Sequence, residues 1–132
     1  MKLPMLLTFF LVFCGPLLSG EEKPPTRVVE VSVLEANKLL SEKGSPVVID
    51  IRTPSEFYKG HLEGALIFDF QNKDFRKKLA SLDRSKSYLF YCKSGGRSTK
   101  ALTIWRELGF EKVYHLKDGF LGWKKQGGRV VR

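Results

Sequence analysis

Only two cysteines, Cys14 and Cys92, occur in this sequence of 132 residues, and they lie far apart. That excludes a multi-disulfide scaffold, so the fold must rest on its own core. Histidine is equally scarce, with His61 and His115 alone, and no Cys/His cluster has metal-ligand spacing. No phosphate-binding P-loop is present, and no long low-complexity run points to disorder. The chain is basic, with 23 Lys and Arg against 14 Asp and Glu and a formal charge of +9. These charges are scattered, with only short clusters such as Arg76-Lys77-Lys78 and Lys124-Lys125. No aromatic residues interleave with a basic stripe, as single-strand nucleic-acid binders require. A generally basic surface is the expectation, with no nucleic-acid partner and no metal.

What is present begins with a leader. Lys2 supplies a positive start, and Leu3 to Phe13 is apolar except for Pro4 and Thr8. Gly15, Pro16, Ser19 and Gly20 then precede the charged Glu21-Glu22-Lys23. Residues 1–20 therefore read as a secretory signal peptide, too short for a comfortable membrane span. A lipid anchor at Cys14 and an uncleaved membrane tether are the alternatives, and Phe13 fits the lipoprotein site poorly. Export to a periplasmic or extracellular space is the expectation. Cleavage would leave Cys92 without an intramolecular partner.

Residues 21–27 read as a polar linker and 28–132 as a single domain, whose apolar content supports one packed core. Val28 to Val31 is a short strand. Ser32 with Glu35, and Thr53 with Pro54 and Glu56, are capping boxes that predict two helix starts. Val47-Val48-Ile49 is a continuous apolar run, suited to a strand buried on both faces. Ala65 to Phe68 predicts a further strand, and Asp69 or Asn72 is expected to cap a helix containing Phe75 and Leu79. Ser87 to Tyr91 and Lys112 to Leu116 predict strands. Between them, Ser98 to Gly109 predicts a helix burying Ala101, Leu102, Ile104, Trp105 and Leu108. Asp118 is expected to begin a last helix with Phe120, Leu121 and Trp123, ended by Gly127-Gly128. Alternating strands and helices indicate an α/β fold with a mostly parallel sheet, whose ligands bind beyond the strands' carboxyl ends.

Cys92 follows the Ser87–Tyr91 strand and opens the turn Lys93-Ser94-Gly95-Gly96-Arg97-Ser98, which enters a helix. A thiol there meets converging backbone N–H groups and positive helix potential, which lower its pKa. Gly95 and Gly96 permit unusual backbone angles and a close approach. Lys93 and Arg97 offer positive charge to an anion, Arg97 through paired hydrogen bonds. A structural pairing of Arg97 with Asp50 or Glu56 remains open beside that. His115, on a predicted strand, reads as structural, and Trp105 and Trp123 as core.

Three stretches together resemble the rhodanese-like family across roughly Val28 to Gly127. They are Asp50-Ile-Arg52-Thr-Pro-Ser-Glu56-Phe57-Tyr-Lys-Gly60-His61-Leu-Glu-Gly64-Ala65, the Cys92 to Ser98 loop, and Gly119-Phe120-Leu-Gly122-Trp123. The resemblance implies a three-layer fold, with a sheet of about five strands flanked by helices. It also implies a sulfurtransferase in which Cys92 takes sulfur from a small anionic donor such as thiosulfate. Cys92 would carry that sulfur as a persulfide, with no separate cofactor, to cyanide, a thiol or a protein acceptor. In the family, residues matching Asp50, Arg52, Glu56 and His61 mainly support the site. A monomer is expected. A non-catalytic persulfide carrier or partner-binding module is the alternative. A cysteine phosphatase or arsenate reductase fits less well, because only Lys93 to Gly96 separate Cys92 from Arg97 where those enzymes have a longer loop.

Overall fold

A computed structural model describes residues 12–15 and 20–132. The leader expected over residues 1–20 falls largely outside them, although Cys14 is described and exposed. No helix among the described residues is long and apolar enough to cross a membrane. In chain order the elements are β1 (Arg27–Val31), α1 (Val33–Ser41), β2 (Val47–Asp50), α2 (Pro54–Tyr58), β3 (His61–Leu62) and β4 (Leu66–Ile67). They continue with α3 (Phe75–Ala80), β5 (Ser87–Tyr91), α4 (Gly96–Glu107), β6 (Lys112–Leu116), α5 (Gly119–Lys125) and β7 (Val130–Val131). Five strands form one sheet in the order β1-β6-β5-β2-β4, and every pairing in it is parallel.

Strand alternation divides the core into two layers, because successive side chains leave opposite faces. Val48, Leu89, Tyr91 and Leu116 pack with Val33 and Ala36 of α1, Phe57 of α2, and Phe120 and Trp123 of α5. Ile49, Tyr88, Phe90, Cys92 and Val113 pack on the other face with Phe75 and Leu79 of α3 and Ala101 and Trp105 of α4. This is the expected three-layer α/β architecture. β5 lies at the middle of the sheet, so Cys92 leaves the carboxyl end of a strand enclosed on both sides.

Both capping boxes form as their spacing requires. The Ser32 Oγ accepts from the Glu35 amide at 3.1 Å, while Glu35 Oε2 accepts from the Ser32 amide at 2.7 Å. Thr53 and Glu56 repeat the exchange at the start of α2, where Pro54 occupies the first turn.

Several local expectations are corrected. Asp69 and Asn72 do not cap α3. Each folds onto an amide two residues ahead, that of Gln71 at 2.9 Å and that of Asp74 at 2.8 Å, closing successive turns before the helix. The Ala65–Phe68 strand shrinks to Leu66–Ile67. Helix α4 starts at Gly96, two residues earlier than its apolar spacing indicates, and β1 begins at Arg27, inside the expected linker. A second sheet, β3 antiparallel to β7, was not foreseen.

Candidate active site

The Cys92 loop is held from both sides. The Phe120 amide donates to the Cys92 carbonyl at 2.8 Å, and the Leu121 amide to that of Lys93 at 3.0 Å, so the start of α5 anchors it. Two glycines make this approach possible. Gly95 has φ +105°, and a Cβ there would lie 2.3 Å from the Lys117 carbonyl oxygen. Gly119 has φ +64°, and its Cβ would lie 2.4 Å from the Lys93 carbonyl oxygen. Gly96 was also expected to clear space, but nothing lies within 4 Å of a Cβ at that position.

Within the loop the thiol is nearly enclosed, at 1% exposure. The Gly95 amide donates to Cys92 Sγ at 3.1 Å, and Ser98 Oγ lies 3.4 Å away. Burial pushes the thiol up, but hydrogen bonds from the Ser98 hydroxyl and from the amides of Ser98, Gly95 and Ser94 outweigh it. The net result is a pKa below the ordinary thiol value, which favours the nucleophilic thiolate.

Arg97 spends its guanidinium on Glu56. Nη1 donates to Oε2 at 2.8 Å and Nη2 to Oε1 at 2.9 Å, the bidentate pairing that suits a carboxylate. Of the readings left open for Arg97, the pair with Glu56 is the one the structure contains. Arg97 and the Thr53 capping contacts together hold the Glu56 carboxyl at a pKa of about 2, against the effect of partial burial.

The remaining polar residues of the first motif form a buried clasp beneath the loop after β2. Arg52 Nε donates to Asp50 Oδ1 at 3.0 Å, and its Nη2 donates to Oδ2 at 2.7 Å and to the Gly60 carbonyl at 2.6 Å. Tyr91 donates its hydroxyl to the same Oδ2 at 2.6 Å and accepts from the Leu62 amide at 3.1 Å. Burial, with Asp50 beside it, raises the Tyr91 pKa, so this phenol stays a donor. His61 stacks on Phe57 at 3.7 Å between ring centroids, and its Nδ1 lies 2.9 Å from the Phe57 carbonyl oxygen. None of these four groups reaches Cys92 by a hydrogen bond.

A cleft of about 340 Å³ opens beside the loop, lined by Arg52, Glu56, Lys59, Lys93, Phe120, Leu121, Lys124, Val130 and Arg132. Phe120 forms its aromatic wall, with the Arg52 guanidinium 3.9 Å and the Lys124 ammonium 5.4 Å from its ring centroid. With Arg52 paired to Asp50 and Glu56 to Arg97, the lysines and Arg132 leave the cleft strongly cationic. A larger cleft, about 610 Å³, is lined by Ser45, Pro46, Trp123 and Arg129 among others. It lies at the opposite, amino-terminal end of β2 and contains no residue of the Cys92 loop.

The structure also links to the thiol, through Ser98, a residue that the sequence reads as structural. His115 Nε2 lies 2.7 Å from Ser98 Oγ, which in turn lies 3.4 Å from Cys92 Sγ. The alternation Val113, His115 along β6 turns His115 inward, but only the β5–β6 pairing, with Phe90 opposite His115, reveals what it meets.

Known proteins match this arrangement over most of its length. Residues 32–126 match the Rhodanese-like domain family, taking in both capping boxes, the Cys92 loop and α5. The chain belongs to this family. One relative, thiosulfate sulfurtransferase 16 (chloroplastic) of Arabidopsis thaliana, is 35% identical over 120 residues. That match covers 83% of this chain and 96% of the plant protein. The probable adenylyltransferase/sulfurtransferase MoeZ of Mycobacterium tuberculosis is 28% identical over 86% of this chain, which spans only 29% of MoeZ. The rhodanese-related protein of Thermoplasma volcanium superposes with a TM-score of 0.68 at 24% identity, over 78% of this chain and 97% of that one. This last likeness concerns the fold alone. The rhodanese-like domain therefore has a sulfurtransferase family's fold, with its single buried cysteine at the carboxyl end of the central strand.

Proposed function

We propose that this rhodanese-like domain transfers sulfane sulfur from a small anionic donor such as thiosulfate to a thiol or cyanide, through a persulfide on Cys92. The observation that carries this reading is the thiol enclosed by the loop amides, with Gly95 N–H 3.1 Å from Sγ. The Cys92 thiolate attacks the donor's outer sulfur. The donor's sulfur–sulfur bond breaks, its electron pair leaves with sulfite, and the new bond joins that sulfur to Cys92. The terminal persulfide sulfur carries negative charge, which preorganised amide donors stabilise as they do the thiolate. An acceptor nucleophile then attacks that terminal sulfur, and the electron pair returns to Cys92.

The cationic cleft supports an anionic donor, since Lys59, Lys93, Lys124 and Arg132 raise the local concentration of an anion. A phosphatase reading is weakened by Arg97, whose paired donors already hold Glu56. The leader-like residues 1–20 support a place outside the cytoplasm. Thiocyanate formation from thiosulfate and cyanide tests the assignment. Cys92→Ser should abolish turnover with the circular-dichroism spectrum unchanged, and a variant keeping most of its activity would remove Cys92 from the mechanism.

A further inference from the structure

Behind the thiol runs a chain of polar atoms that the transfer chemistry does not by itself require. Cys92 Sγ lies 3.4 Å from Ser98 Oγ, and Ser98 Oγ lies 2.7 Å from His115 Nε2. His115 Nδ1 is buried, has no hydrogen-bond partner among the described residues, and lies 3.7 Å from Glu30 Oε1. Glu30 is the register partner of His115 on the edge strand β1, and its side chain is 58% exposed. The four groups thus connect an enclosed sulfur to the solvent edge of the sheet. On the other side of His115, Phe90 stacks at 5.0 Å between ring centroids and fixes the ring plane.

We propose that Ser98 and His115 form a neutral proton relay that carries the Cys92 proton to the Glu30 edge and then holds the thiolate. His115 acts through Ser98 and is a positioning residue, and this role rests on the sulfurtransferase reading of Cys92. In the thiol state the S–H donates to Ser98 Oγ, the Ser98 hydroxyl donates to His115 Nε2, and Nδ1–H points toward Glu30. On ionisation the sulfur gives its proton to Ser98, Ser98 gives its own to Nε2, and Nδ1 releases one toward the exposed Glu30 carboxylate, which passes it to water. One proton leaves, and no heavy-atom bond changes. His115 ends as the other neutral tautomer, with Nε2–H donating to Ser98 and the Ser98 hydroxyl donating to the sulfur anion.

The surroundings favour a neutral ring. Burial lowers the His115 pKa and Lys117 acts in the same direction, with only Glu30 opposing them. Ser98 supplies the α4 contact and Phe90 the apolar β5 contact, so Glu30 and Lys117 are the charged groups acting on the imidazole. At the sulfur end Arg97 faces Cys92, with Asp50 and Glu56 acting on Arg97 in turn. The Gly95 carbonyl, 3.2 Å from Ser98 Oγ, competes for the serine proton. A donor at His115 Nε2 leaves Ser98 free to turn that proton toward an anionic sulfur.

Nitrogen-15 NMR of the two imidazoles in the full domain tests the relay without a sulfur donor or turnover. His115 should stay neutral and change from the Nδ1–H to the Nε2–H tautomer as pH converts Cys92 from thiol to thiolate. A single tautomer throughout, or titration of His115 to a cation in step with Cys92, overturns the proposal. In parallel, the pH dependence of iodoacetamide alkylation reports the thiolate directly. His115→Phe should move that profile up by roughly one pH unit, the scale of one hydrogen bond to a charged group. His115→Gln, which keeps a donor toward Ser98, should restore most of it. If His115→Phe does not fold, the tautomer measurement on the unmodified domain decides. A relay failure leaves persulfide formation on Cys92 intact, whereas a failed sulfurtransferase reading shows as a titrating relay without sulfur uptake.

Discussion

Arg97 and Glu56 meet through two hydrogen bonds, 2.8 and 2.9 Å long, although 41 positions separate them in the chain. The pair ties the first turn of α4, which carries the Cys92 loop, to the amino end of α2. Glu56 also completes the α2 capping box by accepting from the Thr53 amide at 2.9 Å. One carboxylate therefore positions a helix start and the arginine that closes the Cys92 loop.

Glu56 gives a pH signature. Its pKa falls from 4.5 to about 2 on folding, so its stabilisation is present above the unfolded value and disappears as pH falls through the folded one. Glu56→Gln should cost about 1–2 kcal/mol at neutral pH, after discounting for solvent screening. The difference from the unsubstituted domain should shrink between pH 4.5 and 2 in urea-unfolding curves.

The Asp50–Arg52 clasp is buried on both sides, so removing one partner strands the other charge. Asp50→Ala should destabilise the domain by about 3–5 kcal/mol, because Arg52 keeps its charge without a carboxylate. Arg52→Met, which removes the cation and leaves Tyr91 donating to Asp50, is also expected to be unfavourable. Chemical denaturation of each single variant measures the two costs.

Gly95 and Gly96 separate by geometry. Gly95→Ala forces a Cβ against the Lys117 carbonyl at positive φ, a strain of about 1–3 kcal/mol that falls on the loop holding the thiol. Activity should drop by roughly ten-fold or more. Gly96→Ala meets open space at the start of α4 and should leave activity within about two-fold, with stability unchanged or slightly raised. Parallel kinetics on the two variants check the contrast.

The cationic cleft should act on donor binding more than on chemistry. Lys93→Glu and Lys124→Glu are expected to raise the KM for thiosulfate several-fold with a smaller change in kcat, the mark of lost attraction in the ground state. Because exposed charges are screened, the effect should fade as ionic strength rises. Steady-state kinetics at low and high salt distinguish this from a distorted loop.

What was legible in the sequence was local or periodic. Ser32 with Glu35 and Thr53 with Glu56 cap helices through contacts three residues apart, so spacing alone reveals them. Cys92 was legible because the glycine turn adjoins it. The β3–β7 sheet was not, since each strand has two residues and His61 pairs with Val131 only once the chain has closed. Asp69 and Asn72 looked like helix caps because the same side chains also close turns onto amides two residues ahead. Glu56 was one of two partners open to Arg97, and only the folded chain chooses between them. The contact from His115 to Ser98 depends on which strands lie side by side. No pattern along the chain states that.

Treatment of the reduced domain with thiosulfate, followed by intact-mass spectrometry, tests sulfur transfer through Cys92 most directly. The chain should gain the mass of one sulfur atom, lose it on addition of cyanide, and show no gain when Cys92 is replaced by serine. An unchanged mass, with Cys92 still open to alkylation, would contradict a persulfide mechanism at this site.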